Sequence, residues 1–185
     1  MIQTKCLNLF AGPGSGKSSI GTGVFSLLKL HLISCEFTGE YAKTLAWEGR
    51  LNVKVNSLKI FAEQHHRQFI LDEKVDVIVT DSPLLMSSAY RKPFDELFHA
   101  LVAREFKKYD NINYFILREK KFIQKGRKES EEEANKLDHD IFSLLQREQI
   151  SFKTVDGNYE AINIITNDIL KRLGKKQKFF LKEKK

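Results

Sequence analysis

Residues 11–18, Ala11-Gly12-Pro13-Gly14-Ser15-Gly16-Lys17-Ser18, follow a short apolar run and open a helical pattern. They match the Walker A pattern G-x-x-x-x-G-K-[ST], except that alanine holds the first position. The glycines permit backbone angles at which successive N–H groups can point at phosphate oxygens. We expect Lys17 to reach the β- and γ-phosphates and Ser18 to ligate Mg²⁺, beside the positive end of the helix dipole. The predicted nucleotide-binding set is Gly12, Pro13, Gly14, Ser15, Gly16, Lys17, Ser18 and Ser19.

Apolar, β-branched runs alternate with longer helical patterns along the rest of the chain. The predicted strands are residues 6–11, 33–37, 75–81, 113–117 and 152–155, and the predicted helices are residues 17–32, 57–74, 94–109, 131–149 and 159–173. Strands separated by helices pair in parallel through right-handed crossovers. The sequence therefore predicts an α/β protein with the three-layer P-loop NTPase fold, a five-stranded parallel sheet with helices on both faces.

Length and composition favour one domain in the cytoplasm. The 185 residues are 42% hydrophobic and 30% charged, enough for a full core without disulfides. No apolar run approaches the ~18–20 residues of a membrane-spanning helix, and the N-terminus lacks a signal-peptide layout. We expect Cys6 and Cys35 to pack as small hydrophobic side chains. The predicted domain covers residues 1–172, with a basic tail at 173–185.

The net charge of +7 is concentrated at the C-terminus. Residues 171–185 hold eight basic side chains and one acidic side chain, and the other 170 residues hold 23 of each sign. A basic tail is either a solvated end or a contact for DNA, RNA or another acidic surface. Any DNA contact is thus predicted for the tail and not for the whole surface.

The third predicted strand ends in an acid, Asp81, as a Walker B strand does. Because carboxyl ends of parallel strands meet at one edge, we expect Asp81 beside the phosphate loop, where it can hold Mg²⁺ with Ser18. Asn135-Lys136-Leu137-Asp138 spells the N-K-x-D motif of GTP-binding proteins but lies in a helical pattern. We interpret that stretch as helix surface, which argues against a GTPase.

Several polar residues are candidates for a phosphoryl-acceptor site. Glu40 follows the second strand, where a carboxylate can orient or deprotonate an acceptor hydroxyl; the alternative is a carboxylate that stabilises a helix N-terminus. Gln64 can present its amide to a base, and Arg67 lies about one turn later; exposed helix polarity is the alternative. The predicted substrate-binding set is Tyr41, Lys43, Gln64, Arg67, Ser82 and Tyr90.

Residues from about 118 to 130 predict a mobile lid. Six basic side chains and one acidic side chain surround Gly126 between residues 118 and 128. We expect Arg118 and Arg127 to fold over the polyphosphate, exclude water and neutralise charge on the transferring group. The alternative is an ordinary charged loop that leads into a helix with an acidic first turn.

The motifs together resemble the P-loop kinases of nucleosides and nucleotides over most of residues 5–172. The stretches 40–43, 64–67, 80–85 and 126–127 look like small phage-encoded kinases. These are similar to nicotinamide-riboside-kinase domains of the NadR type, to thymidylate kinases, and to kinases of 5-hydroxymethyluracil in DNA. The resemblance implies ATP and Mg²⁺, with adenine near Asp156 and Gly157. The Asp-Arg pair of thymidylate kinases is absent, because Ser82 follows Asp81.

Two function classes remain open from the sequence. The first is an ATP-dependent kinase whose acceptor is a deoxynucleoside, a nucleotide or a hydroxymethylated base in DNA. Its catalytic residues would be Lys17, Glu40, Asp81, Arg118 and Arg127. The second is a regulatory P-loop ATPase without a phosphoryl acceptor. The sequence gives no prediction of the oligomeric state.

Overall fold

The strand that leads into the glycine-rich loop, β1 (Lys5–Phe10), has five of its six residues buried. This is the pattern of a strand covered on both faces, as in parallel sheets. The structure, a computed structural model, describes residues 3–50, 56–90, 93–119 and 130–175. After β1 the elements are α1 (Lys17–Leu30), β2 (Cys35–Thr38), α2 (Tyr41–Trp47), α3 (Ser57–Phe69), β3 (Val77–Thr80), α4 (Met86–Tyr90), α5 (Glu96–Phe106), β4 (Asp110–Leu117), α6 (Glu131–Arg147), β5 (Lys153–Asp156) and α7 (Glu160–Arg172).

All five strands pair in parallel, in the order β2-β3-β1-β4-β5. The chain moves from β1 outward to β2 and β3 on one side and to β4 and β5 on the other. The carboxyl end of β1 therefore lies at the point where strand order reverses, which is where open α/β sheets bind ligands. The predicted fold class is confirmed, and it places the loop after β1 at this crevice.

Helices cover both faces of the sheet, as predicted. One core cluster joins the sheet to α1 and α7 through residues such as Val24, Leu28 and Ile165. The other joins it to helices α3 to α6 through residues such as Phe61, Val102 and Leu145. Cys6 and Cys35 are buried free thiols, Cys35 in the first cluster and Cys6 in a smaller one with Val75 and Ile78, in agreement with their predicted role as small hydrophobic side chains.

The ends of some elements differ from the prediction. β4 begins at Asp110 instead of residue 113, because Asn111 and Asn113, unfavourable in strands by propensity, accept hydrogen bonds from the buried Asn8 amide at 2.7 and 3.1 Å. α3 ends at Phe69 instead of residue 74. The helices α2 and α4 were not predicted, since seven and five residues are too few for a periodic pattern.

The last described element, α7, ends at Arg172, next to the predicted start of the tail. Residues 176–185 lie outside the described part of the chain, so the domain boundary and the role of the tail stay predictions. Within the described residues, no helix has the length and apolar character needed to cross a bilayer.

The free energy of unfolding is expected to fall as the pH drops through about 4. Burial alone would raise the pKa of Asp168, but hydrogen bonds from Lys153, Tyr114 and Arg172 outweigh it and lower the pKa. When a folded-state pKa lies below the unfolded value, the unfolded chain binds more protons in acid. The stability is therefore present above the ordinary carboxyl pKa of about 4 and is lost as the pH falls through the folded value.

Urea unfolding between pH 3 and 7 measures this dependence, with the Asp168→Asn variant as the comparison. The variant should be less stable at neutral pH and should lose less stability on acidification. Equal urea midpoints for the wild type at pH 3 and pH 7 would contradict the expectation.

Candidate nucleotide-binding site

The glycine-rich loop joins β1 to α1 in the conformation that its composition predicts. Gly14 and Gly16 have φ angles of 82° and 103°, in the left-handed region that favours glycine. Gly16 is the residue before the first turn of α1. Inside the loop, the buried Ser15 hydroxyl donates a hydrogen bond to Gly12 O at 3.1 Å. The loop therefore delivers its residues to the N-terminus of α1, a position suited to anions.

Lys17 lies at the centre of the charged groups of the site. Its ammonium donates hydrogen bonds to Ala11 O at 2.7 Å and Gly12 O at 2.8 Å. Burial lowers the pKa of Lys17, and the nearby carboxylates of Glu40, Asp81 and Asp138 oppose that shift. The ammonium therefore lies against the backbone of the loop, at the place where a polyphosphate is expected to bind.

Ser18 and Asp81 come together as predicted for a Mg²⁺ site. The Ser18 hydroxyl lies 2.5 Å from Asp81 Oδ2. Asp81 follows β3 and is only 6% exposed, and its Oδ1 atom has no hydrogen-bond partner among the described residues. An uncompensated buried carboxylate oxygen next to a hydroxyl is the hard-oxygen donor set that Mg²⁺ prefers. These residues fit the metal, which would complete its coordination with phosphate oxygens and water.

Backbone from β4 and β5 packs against the loop at Gly157. A Cβ atom there would lie 2.7 Å from both Leu117 O and Ser15 O. The Gly157 amide also donates to Leu117 O at 2.8 Å. The predicted adenine-side residues therefore lie beside the loop: Gly157 is buried against it, and Asp156 is exposed at the end of β5. Ser19, also in the predicted set, is exposed in the first turn of α1.

Arg118 is bound to the phosphate loop and does not extend from it as part of an open lid. Its guanidinium donates to Pro13 O at 2.9 Å and to Asp138 Oδ2 at 2.7 and 3.1 Å, and its side chain is 13% exposed. The expectation that Arg118 moves with a lid is corrected in this respect, because it follows β4 directly and is held between the loop and α6. Arg127 and most of the predicted lid, residues 120–129, lie outside the described residues.

Asp138 was not predicted as a residue of the site. The helical prediction for residues 135–138 is confirmed, but the interpretation of Asp138 as helix surface is wrong, since Asp138 Oδ1 accepts the Gly12 N–H at 2.5 Å. A signal was present in the sequence. Asp138 occupies the same helical stripe as the buried residues Ala134, Ile141 and Leu145, and a carboxylate on an apolar stripe requires a partner.

The acceptor-side residues lie around the turn from β2 to α2. Glu40 is the residue before α2, as the helix-terminus alternative requires, and it is also close enough to Lys17 to affect that pKa. Tyr41 N donates to Gln64 Oε1 at 3.0 Å, and the Arg67 guanidinium donates to Gly39 O at 3.2 Å. Gln64 is 2% exposed, so the alternative of exposed helix polarity is wrong for it.

The remaining predicted substrate residues occupy different surroundings. Arg67 lies over the Tyr41 ring, 5.1 Å from its centroid. Ser82 donates its N–H to Thr80 Oγ1 at 3.1 Å directly after β3. Lys43 is exposed on α2. Tyr90 is the last residue of α4 and is 42% exposed.

Comparison with known proteins gives one match at the level of family. The family model described as "AAA domain" matches residues 7–161, which include most of β1, the phosphate loop and strands β2 to β5. No curated protein matches the chain. The family match supports a P-loop nucleotide-binding domain with ATPase-like or kinase-like activity, which generally uses a nucleoside triphosphate with Mg²⁺.

Proposed function

The chain belongs to the AAA domain family, and on that premise we propose that it is an ATP-dependent kinase of a nucleoside-type acceptor. The observation that carries the proposal is the position of Glu40. Glu40 lies directly before α2 and two residues after the end of β2, and its carboxylate opposes the fall in pKa that burial imposes on Lys17. A carboxylate at this position suits an acceptor hydroxyl that must meet the γ-phosphate.

The backbone around Glu40 is held in place by α3. Gln64 accepts the N–H of Tyr41, the residue after Glu40, and Arg67 binds the carbonyl of Gly39, the residue before it. A catalytic carboxylate needs such support, since phosphoryl transfer depends on positioning and charge neutralisation. Gln64 and Arg67 therefore support the proposal as anchors of Glu40, in addition to their proposed contacts with the acceptor.

Two buried polar atoms on the acceptor side also favour a polar ligand. Gln64 Nε2 and Thr38 Oγ1 have no hydrogen-bond partner among the described residues, although both residues are at most 5% exposed. Buried donors without partners are costly. A nucleoside-type acceptor offers the carbonyl and hydroxyl oxygens that could satisfy them.

In the proposed reaction the acceptor hydroxyl oxygen forms a bond to the γ-phosphorus and the bond to the β–γ bridging oxygen breaks. ADP leaves, and the hydroxyl proton passes to Glu40. Lys17 binds the phosphate oxygens, and Arg118 holds the loop on which they rest. Mg²⁺ held by Ser18 and Asp81 would supply positive charge to the phosphate oxygens.

The direct test is to incubate the protein with γ-labelled ATP and a panel of acceptors. The panel contains deoxynucleosides, nucleotides and duplex DNA with 5-hydroxymethyluracil. Label on one acceptor supports the proposal and identifies the acceptor. Label that appears only as free phosphate indicates the alternative, a regulatory ATPase. Transfer to the duplex alone would support a base in DNA as the acceptor. The basic tail is the proposed DNA contact, and the cytoplasm is the proposed location.

The Glu40→Gln variant is expected to lower the rate of transfer by about 10²–10⁴-fold, the usual contribution of a general base. Its affinity for ATP should not fall, because Glu40 is not in the loop and the loss of a negative charge near Lys17 does not oppose the binding of polyphosphate. The matched control is Glu36→Gln, since Glu36 is exposed in β2 and pairs with Lys29 at 3.0 Å. Equal transfer rates for the two variants would contradict a catalytic role for Glu40.

A further inference from the structure

We propose that Asp138 is a positioning residue for nucleotide binding, which fixes the phosphate loop through Gly12 and Arg118. The inference rests on the nucleotide-binding part of the proposed function and on no property of the acceptor. Asp138 lies on α6, outside the loop and outside every motif that predicts the site.

The carboxylate of Asp138 uses both of its oxygens on the loop and its support. Oδ1 accepts the Gly12 N–H at 2.5 Å, and Oδ2 accepts two guanidinium N–H groups of Arg118 at 2.7 and 3.1 Å. Arg118 in turn donates to Pro13 O at 2.9 Å. Two consecutive loop residues, Gly12 and Pro13, are therefore held by one ion pair. The pair is largely withdrawn from solvent, with the side chains of Arg118 and Asp138 13% and 18% exposed.

Gly12 connects this ion pair to the lysine of the site. Its carbonyl oxygen accepts hydrogen bonds from Lys17 Nζ at 2.8 Å and from Ser15 Oγ at 3.1 Å. The Gly12 N–H and the Gly12 carbonyl thus bind partners on opposite sides of the loop. Asp138 fixes the residue on which the Lys17 ammonium rests, although Asp138 itself lies on another element.

Close packing leaves the loop little freedom at the same place. A Cβ atom at Gly12 would lie 2.6 Å from Ala134 O and 3.0 Å from Asp138 Oδ1. Ala134 precedes Asp138 by one turn on α6 and is fully buried. The backbone of α6 therefore touches the loop directly, and the short hydrogen bond from Gly12 fixes the register of that contact.

The negative charge of Asp138 is favourable to Arg118 but unfavourable to a bound polyphosphate. The negative charge of Asp138 opposes the fall in pKa that burial imposes on Lys17, so this charge acts at the place where polyphosphate would bind. Like charges repel, and an acid at an anion site should weaken binding. If charge dominated, its removal would tighten the binding of polyphosphate. If the positioning of the loop by Asp138 dominates, removal of the carboxylate weakens the binding. The two effects therefore have opposite signs.

The experiment measures this sign with the full chain by isothermal titration calorimetry. The probes are MgATP and inorganic tripolyphosphate with Mg²⁺, which keeps only the phosphate chain. Asp138→Asn removes the charge at constant shape, and Asp138→Ala removes both acceptors. Glu132→Gln is the control, because Glu132 is exposed on the same helix and loses the same charge. Circular dichroism and thermal melts confirm that each variant is folded at the titration temperature.

We expect Asp138→Asn to weaken the binding of both probes by about tenfold, the usual worth of a hydrogen bond to a charged group. The factor should be the same for MgATP and tripolyphosphate, because the loop holds the phosphates that they share. Asp138→Ala should weaken both at least as much, and Glu132→Gln should change neither by more than about twofold. A role in global stability would lower the melting temperature and leave these affinities unchanged.

Unchanged or tighter binding by Asp138→Asn would overturn the inference. If this variant does not fold, Arg118→Lys gives the second measurement, since it keeps the charge and loses the fork that joins Pro13 to Asp138. It should weaken both probes equally, and unchanged affinity would overturn the inference in the same way. Wild-type protein that fails to bind MgATP would instead refute the nucleotide-binding premise, so the two failures are distinguishable.

Discussion

Replacement of Lys17 with alanine is expected to weaken MgATP binding by about 10- to 100-fold, because the loss of a hydrogen bond to a charged group costs about 1.5–3 kcal/mol. Turnover of bound nucleotide should fall by a further ~10²–10³-fold, the usual cost of removing one donor from a developing oxyanion. The ammonium rests on Ala11 O and Gly12 O within the loop. The substitution removes this ammonium, which lies against the loop where the phosphates are expected to bind.

Calorimetry with MgATP and a coupled assay of ADP release measure the two effects separately. Lys29→Ala is the matched control, since Lys29 lies on the same helix, is 44% exposed and pairs with Glu36 across the surface. That variant should bind and turn over ATP like wild type. A Lys17→Ala protein with wild-type affinity and turnover would show that nucleotide is bound elsewhere on the chain.

Lys17→Ala locates the site but does not distinguish a kinase from an ATPase, since both reactions need the same charge on the phosphates. Glu40→Gln makes that distinction, because only a kinase has an acceptor hydroxyl to orient. In combination, loss of both reactions in the first variant and selective loss of transfer in the second would establish phosphoryl transfer at this loop.

The sequence predicted the part of the site that depends on local chain geometry. Gly14 and Gly16 have the left-handed φ angles that the loop pattern requires, and Ser18 follows at the start of α1. Asp81 was predictable from topology, since a buried parallel strand must deliver its last residue to the same edge as β1. In both cases the prediction depends on one strand and the residues that follow it.

Contacts between distant segments were not predictable in the same way. Asp138 is 126 positions from Gly12, and its stripe on α6 shows only that it faces inward, not which element it meets. The segment that begins at Arg118 has the composition of a charged loop. β4 nevertheless ends directly before Arg118 and places its side chain against Pro13. The polar start of β4 was missed for a similar reason, because its partner Asn8 is buried in another strand.

Gly157→Ala is expected to lower the free energy of unfolding by about 1–3 kcal/mol, the usual cost of an inserted methyl group in a packed site. The new Cβ would lie 2.7 Å from Leu117 O and Ser15 O, and both are backbone atoms that no side-chain rotation can move. The chain must therefore separate β5 from the phosphate loop or displace the loop itself. Displacement of Ser15 should also weaken MgATP binding by more than tenfold.

Gly23→Ala is the matched control, because Gly23 is also closely packed but its neighbours do not belong to the phosphate loop. Its Cβ would meet the Ile162 side chain at 2.5 Å, where α1 packs against α7. A side chain can adjust, and alanine is a better helix residue than glycine by about 1 kcal/mol. Urea unfolding and calorimetry should therefore show a small stability change and wild-type affinity for Gly23→Ala.

If only Gly157→Ala loses affinity for MgATP, the position of the loop depends on its contact with the residue after β5 as well as on its contact with α6. The two contacts hold different loop residues: Gly157 packs against Ser15, and Asp138 binds Gly12, whose carbonyl accepts from Lys17 Nζ. If Gly157→Ala lost stability but kept wild-type affinity, the β5 contact would serve folding alone. The position of the loop would then depend on Asp138 and Arg118.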